Sequence, residues 1–339
     1  MKALGKALLA VLPGTLILAG VRHVTAGTVY VDPANEFVVS AIPGQDQYNP
    51  EIWGNTVVWT AGIKGDVWAK NTGTGATFFV GEGTEGHPNI HDGTIVWAGR
   101  SGGMVWAFDV ETRERTLVAS GSWDADPDVY GSLIVWSGGH IKNLATGWET
   151  VLPGVGDDLH IFGDNVVWIG LGMQGYRLSS GISFEISPTG TKWLGLHGNI
   201  LAWRDGRNGN QDIYGADITD PYNVIEFPVC TDPFEQGQPA MYGNIIVWHD
   251  YRNGDIDVYG YDITTDTEFP IATGPGNQFA PDIYGNLVVW SNEVGDQTDI
   301  HANYIIPEPY IPEPVTVFSG LIGLSMVGAY LRRRKGAAL

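Results

Sequence analysis

A single cysteine, Cys230, stands in a chain of 339 residues. An internal disulfide is excluded, and a chain of this length buries enough apolar surface to fold without one. Cys230 reads as a small buried apolar residue, with a reactive thiol or an intermolecular bridge as the alternative. Basic residues are scarce as well: 18 Lys and Arg face 38 Asp and Glu, for a formal net charge of −20. Such a surface repels phosphate backbones and anionic headgroups, which excludes nucleic acid as a partner, and it attracts cations instead. Familiar catalytic signatures are missing too. There is no H-E-x-x-H, no Cys-x-x-Cys and no P-loop.

What the chain has in abundance is glycine (47) and tryptophan (13). Much of both falls into a repeat, clearest at residues 238–272, QPAMYGNIIVWHDYRNGDIDVYGYDITTDTEFPIA. It predicts four strands: AMY, then the turn pair Gly243-Asn244, IIVW, a second turn at RNGD, DVYGYDI and EFPIA. Gly and Asn suit a two-residue hairpin because they tolerate the positive φ it needs. A four-strand repeat of about 40 residues is the signature of a β-propeller blade.

Seven tryptophans close the second strand of a repeat: Trp59, Trp97, Trp136, Trp168, Trp203, Trp248 and Trp290. Each lies five residues beyond the start of a turn pair such as Gly54-Asn55 or Gly285-Asn286. The runs before them (TVV, TIV, LIV, NVV, ILA, IIV, LVV) are apolar without alternation, as strands buried on both faces require. The tryptophans are expected to fill space between blades. The last repeat runs out after Tyr304 without a fourth strand, whereas residues 36–42, EFVVSAI, match the fourth strand EFPIA. The expected fold is all-β: a seven-bladed propeller over residues 28–305, its ring closed by that N-terminal strand lying beside His301.

Repeats five to seven resemble TolB-like propeller repeats, on the loops Asp205-Gly206-Arg207-Asn208-Gly209-Asn210 leading into Asp212, and Asp250-Tyr251-Arg252-Asn253-Gly254-Asp255 leading into Asp257. The likeness is sharp there and faint in blades three and four. It implies a fold and a binding role more than a reaction. The loops themselves admit two readings. One is a turn with an internal Asp-Arg pair and Asx-type capping; the other is calcium held by oxygens of Asp205, Asn208, Asn210 and Asp212, and of Asp250, Asn253, Asp255 and Asp257.

The seven inner strands should line a central channel. Aligned on the turn pairs, one column holds Glu51, Asp128, His160 and Asp282, and the column two residues earlier holds His87, Asp126, Asp158 and Gln238. Side chains two apart in a strand share a face, so carboxylates and histidines are expected to crowd the channel. These eight residues are either a solvated pore mouth or a site for a cation or ligand. The oligogalacturonate lyases among TolB-like propellers hold a divalent metal here with histidines and a glutamine. That resemblance points to His87, His160 and Gln238, but a third histidine in register is absent.

The ends carry addresses. Residues 1–26 have a signal peptide's charged start (Lys2, Lys6), apolar run and small-residue cleavage site, Val24-Thr25-Ala26. Residues 306–314 are a proline-rich spacer, 315–331 an apolar stretch just long enough to span a bilayer, and 332–339 a basic tail expected in the cytoplasm. Pro312-Glu313-Pro314, that stretch and Arg332, Arg333 and Arg334 together resemble the PEP-CTERM sorting signal, which implies processing by an exosortase and a product on the cell surface or in the matrix. A plain C-terminal anchor is the alternative. The resulting expectation is an exported, non-catalytic binding or scaffolding module for extracellular polysaccharide or surface proteins, with calcium or another divalent cation as its candidate cofactor. The competing expectation is a metal-assisted polysaccharide lyase or hydrolase working in the channel.

Overall fold

In a computed structural model the chain divides into two units, residues 1–307 and 308–339. The structure describes residues 29–83, 86–100, 103–121, 126–170, 172–190 and 193–307. The expected leader, the apolar stretch and the expected sorting motif (Pro312, Glu313, Pro314, Arg332, Arg333, Arg334) lie outside these. Among the described residues no helix is long and apolar enough to cross a membrane.

The first unit is a seven-bladed β-propeller. Six blades are four-stranded antiparallel sheets in sequence order, from Gln47–Gly81 in blade one to Gln236–Ala272 in blade six. Blade seven takes three strands from the end of the chain, Asn277–Tyr284, Leu287–Val294 and Gln297–Pro307. Its fourth comes from the beginning. Phe37–Ser40 pairs antiparallel with the last strand, with Phe37 opposite Ala302 and Val38 opposite His301, which is the closure the sequence led us to expect. A further short strand, Val29–Val31, pairs along the same edge at Ile305, Ile306 and Pro307. This second N-terminal strand was not expected, since its three residues carry no repeat consensus. The edge that would otherwise invite association is thereby covered twice.

The central strands explain why their sequences do not alternate. In blade one Val57 and Trp59 pack towards blade seven, against Val289 and Ala302, while Val58 between them packs towards blade two, against Ile95 and Trp97. Successive side chains point to opposite faces, and both faces are covered by a neighbouring blade. All seven tryptophans of the column are buried. Seven apolar clusters result, each shared by two adjacent blades, and the ring is held together by these rather than by one central core.

The Asp-x-Arg-Asn-Gly loops clamp blades together. Asp205, fully buried, accepts hydrogen bonds from Trp203 Nε1 (2.9 Å), Thr189 Oγ1 (2.8 Å) and Arg207 Nη2 (2.7 Å). Burial opposes its ionisation, yet these donors hold the carboxyl down at about 2. Arg207 reaches back to Ser187 of blade four (3.0 Å) and across to Glu226 (2.8 Å), with its guanidinium 4.2 Å above the Tyr214 ring. Blade six repeats the arrangement: Arg252 meets Asp250 (2.6 Å), Glu268, the Tyr259 ring and, in place of a serine, Cys230 Sγ of blade five at 3.1 Å. Cys230 is buried and unbridged, and burial pushes its thiol up to about 12.

The calcium reading of these loops meets hydrogen-bond donors at the oxygens of Asp205, Asp212 and Asp250 and at one oxygen of Asp257. Asn208 Nδ2 donates to Asp212 Oδ2 (2.7 Å) and to the Tyr214 hydroxyl, and Asn210 Nδ2 donates to Asp212 Oδ1 (2.9 Å). Asn253 Nδ2 donates likewise to Asp257 Oδ2 (2.6 Å). Both oxygens of Asp212 thus face amide hydrogens, the opposite of what a cation asks of them. The geometry is that of the turn with an internal Asp-Arg pair.

Candidate functional site in the axial cavity

All eight channel residues singled out by sequence, Glu51, His87, Asp126, Asp128, Asp158, His160, Gln238 and Asp282, line one cavity of about 170 Å³ on the propeller axis. They arrive there by a different backbone route from simple alternation. Asn49, Asp158, Trp193, Gln238 and Ala280, one per blade at the same position, adopt left-handed φ values between 47° and 72°. In blades one, four, six and seven a register shift follows directly, as between Tyr48 and Glu51 or Phe279 and Asp282. The inner strands of these four blades therefore carry a bulge at the cavity wall, and the left-handed conformation is one that non-glycine residues hold at a cost of about 1–3 kcal/mol. In blades two and three the strand begins only at Asn89 and Asp128, and His87 and Asp126 sit just before it.

The carboxylates also stitch neighbouring blades. Asp128 Oδ2 accepts the Ile161 N–H of blade four (2.8 Å), Asp158 Oδ2 the Trp193 N–H of blade five (2.9 Å) and Asp282 Oδ2 the Ile52 N–H of blade one (2.7 Å). His160 lies between two of them, 3.6 Å from Asp128 and 3.7 Å from Asp158. Burial works against a charged imidazole, but Asp158, Asp128 and Asp126 outweigh it and lift His160 to about 9. His87, half-buried and without such close partners, is lowered by desolvation despite the pull of Asp126 and Asp158. Burial, the Asp282 charge and a hydrogen bond with Asp282 raise Glu51 well above the carboxylate range, while Asp282 rises to about 6 through burial, against hydrogen bonds from Ile52 and Ile283. Asp128 is raised by burial as well. No lysine or arginine is among the lining residues.

Beneath the two polar layers lies a third that sequence inspection overlooked. The residue immediately before each turn pair is aromatic or histidine: Trp53, His91, Tyr130, Phe162, His197, Tyr242 and Tyr284. Their rings form an unbroken circuit around the axis, with neighbouring centroids 3.8 to 4.7 Å apart. Rings two blades apart also meet, as Trp53 and Tyr242 do at 6.4 Å. The collar narrows the channel and gives the acidic cavity an aromatic floor. His91 and His197 serve in it as flat rings: burial lowers both, His91 to about 4, and His91 Nδ1 accepts the Gly131 N–H at 3.0 Å. Stepping the turn-pair alignment by one residue would have exposed the column.

A divalent metal held as in the lyases fits this wall poorly. Among the described residues no three His, Cys, Asp or Glu side chains converge as metal ligands would. His160, kept protonated between Asp128 and Asp158, has no lone pair to offer.

Comparison with solved structures agrees on architecture. The β-propeller domain of the Trilobed protease from Pyrococcus furiosus superposes with a TM-score of 0.61 at 12% identity, over 76% of this chain and 95% of that one. The likeness is one of fold. The WD40 repeats of RRP9 match at a TM-score of 0.58 and 9% identity (82% and 100% covered), and an oligogalacturonate lyase from Vibrio parahaemolyticus at 0.55 and 12% (83% and 96%). Binding modules and enzymes thus stand side by side among proteins that share this ring. No family model and no curated protein matches the sequence.

Proposed function

We propose that this propeller is an exported binding or scaffolding module of the cell surface or extracellular matrix, which takes its ligand in the axial cavity and performs no chemistry there. Three features support export and display: the leader-like residues 1–26, the PEP-CTERM resemblance of residues 312–335 and the shortage of basic residues. The observation that carries the binding role is the cavity wall. Buried acidic groups from blades one, three, four and seven meet at one place, on backbone that five blades hold in a strained conformation. The groups a catalyst would use are committed to the structure. Asp128, Asp158 and Asp282 each hold a neighbouring blade's N–H, and His160 is locked as a cation rather than poised as a base. In this reading an exosortase-type enzyme processes the C-terminal segment, and extracellular polysaccharide or a surface protein is the partner.

A metal-assisted lyase or hydrolase is the second reading. It is favoured by one observation, the meeting of His87, His160 and Gln238 in the same cavity as expected from the lyase resemblance. One experiment separates the two. Polysaccharide from the producing cells is incubated with the full-length protein, and both retention and the release of unsaturated or reducing ends are followed. Retention that is lost in Asp282→Asn, with no new chain ends, supports the binding module. Chain cleavage that stops in His160→Ala overturns it.

A further inference from the structure

Resting on the binding-module reading, we propose that the axial cavity recognises an organic ammonium group, carried by an amino sugar of the polysaccharide. Four observations converge on a cation of this kind.

The first is charge. Glu51, Asp126, Asp128, Asp158 and Asp282 line the cavity together, no lysine or arginine is among the lining residues, and His160 is engaged by Asp128 and Asp158. Burial raises Glu51, Asp128 and Asp282, and neighbouring carboxylate charge adds to it, so an entering cation would ease their ionisation. The second is His87. Its ring is half-buried at the cavity wall and forms no hydrogen bond among the described residues, so it is a polar group open to something that enters.

The third is spacing. A small divalent ion needs several oxygens on one point at about 2.1–2.5 Å. Here each of Asp128, Asp158 and Asp282 turns at least one oxygen to a backbone N–H of the next blade, and no three ligand groups converge. Carboxylates dispersed around a cavity suit a donor that spreads its hydrogens outwards over longer distances, as an ammonium does. The fourth is the floor. Rings of Trp53, Phe162 and Tyr242 line the base of the cavity, and aromatic walls favour ammonium groups and sugar-sized apolar faces over bare metal ions.

The test is calorimetric titration of the full-length protein, at about 0.15 M salt so that exposed charge is screened, with a glucosamine tetrasaccharide and with its fully N-acetylated counterpart. The free amine should bind, and acetylation should abolish binding. Asp282→Asn, which preserves the shape and the acceptor for Ile52, should weaken the complex at least tenfold, and Glu51→Gln should act in the same direction. Glu114→Gln, a charge removed from the exposed outer rim, should leave it unchanged. Equal loss in Glu114→Gln would reduce the effect to general attraction by an acidic protein and sink the proposal. So would equal binding of the N-acetylated sugar, displacement of the amino sugar by calcium or manganese chloride, or a lysine peptide binding in preference to the sugar. Failure of the proposal alone is recognisable: cell polysaccharide would still be retained by the wild type and lost in Asp282→Asn, while the glucosamine tetrasaccharide does not bind. Loss of both would remove the binding-module reading as well.

Discussion

Glu51 and Asp282 share a hydrogen bond between carboxyl groups across the boundary of blades one and seven, the junction where the ring is sewn shut. Two carboxylates so placed cannot both ionise without a strong penalty, and Glu51 is the one that keeps the proton. The contact is therefore structural and electrostatic at once: Asp282 ties blade seven to blade one through the Ile52 N–H and meets the Glu51 carboxyl at the same junction.

The pair predicts a pH dependence of stability. Asp282 is raised from the usual carboxylate range to about 6 and Glu51 is raised well above its ordinary value, so the folded state binds these protons more tightly than the unfolded one. Their contribution is fully present near pH 4 and is lost as the pH rises through 6. Asp282→Asn removes the penalty at neutral pH. Its melting temperature should exceed that of the wild type at pH 7, with the difference shrinking towards pH 4; a difference independent of pH would contradict the assignment.

His160 predicts the complementary window. Its folded value of about 9 lies above the ordinary 6.5, so its pairing with Asp128 and Asp158 stabilises fully below pH 6.5 and fades as pH rises through 9. His160→Gln should be less stable than the wild type at pH 6 and draw level with it near pH 10. Proton NMR of the imidazole should show it still charged at pH 8. A neutral ring there would free His160 for ligand or base chemistry and revive the lyase reading.

The ring was legible in sequence because it is written seven times. Turn pairs and buried tryptophans recur at fixed spacing, and a missing strand at one end matched a spare one at the other. The cavity was half legible. Alignment on the turn pairs brought out Glu51, Asp128, His160 and Asp282, but the bulges at Asn49, Asp158 and Gln238 were hidden, because left-handed φ at these residues is imposed by tertiary contacts and not by glycine. The aromatic collar was missed for a different reason. Its residue types vary from Trp to His to Phe, so it looks like no motif until geometry shows that each contributes a flat ring. The charge states of Glu51 and His160 depend on groups from other blades, and no local pattern carries them.

Closure of the ring predicts an asymmetry within one short strand. Val39 is buried in the cluster shared by blades seven and one, and its carbonyl accepts Lys70 Nζ at 2.6 Å, whereas Val38 beside it is 48% exposed. Val39→Ala should cost about 2 kcal/mol, from two lost methyl groups and an incompletely collapsed cavity. Val38→Ala should change stability by less than about 0.5 kcal/mol. Urea unfolding of the two variants checks the alternation, and equal losses would mean that the N-terminal strand does not dock as described.

The clamp at Arg252 gives the last prediction. Asp250 is completely buried and takes hydrogen bonds from Trp248 Nε1 at 3.1 Å, from the Arg252 backbone N–H at 2.9 Å and from the Arg252 guanidinium at 2.6 Å. Arg252→Ala strips the charged donor and strands a carboxylate in the interior, which typically costs about 3–5 kcal/mol. The double variant Asp250→Asn with Arg252→Ala should recover part of the loss, since the amide needs no counter-charge, and that recovery distinguishes an uncompensated charge from lost packing. If the loop were a calcium site instead, removing the arginine would relieve repulsion of the ion, so the variant would gain stability on adding calcium and lose it again on chelation. The hydrogen bonds of Asn253 to Asp257 and to the Tyr259 hydroxyl argue that neither treatment will move the unfolding midpoint.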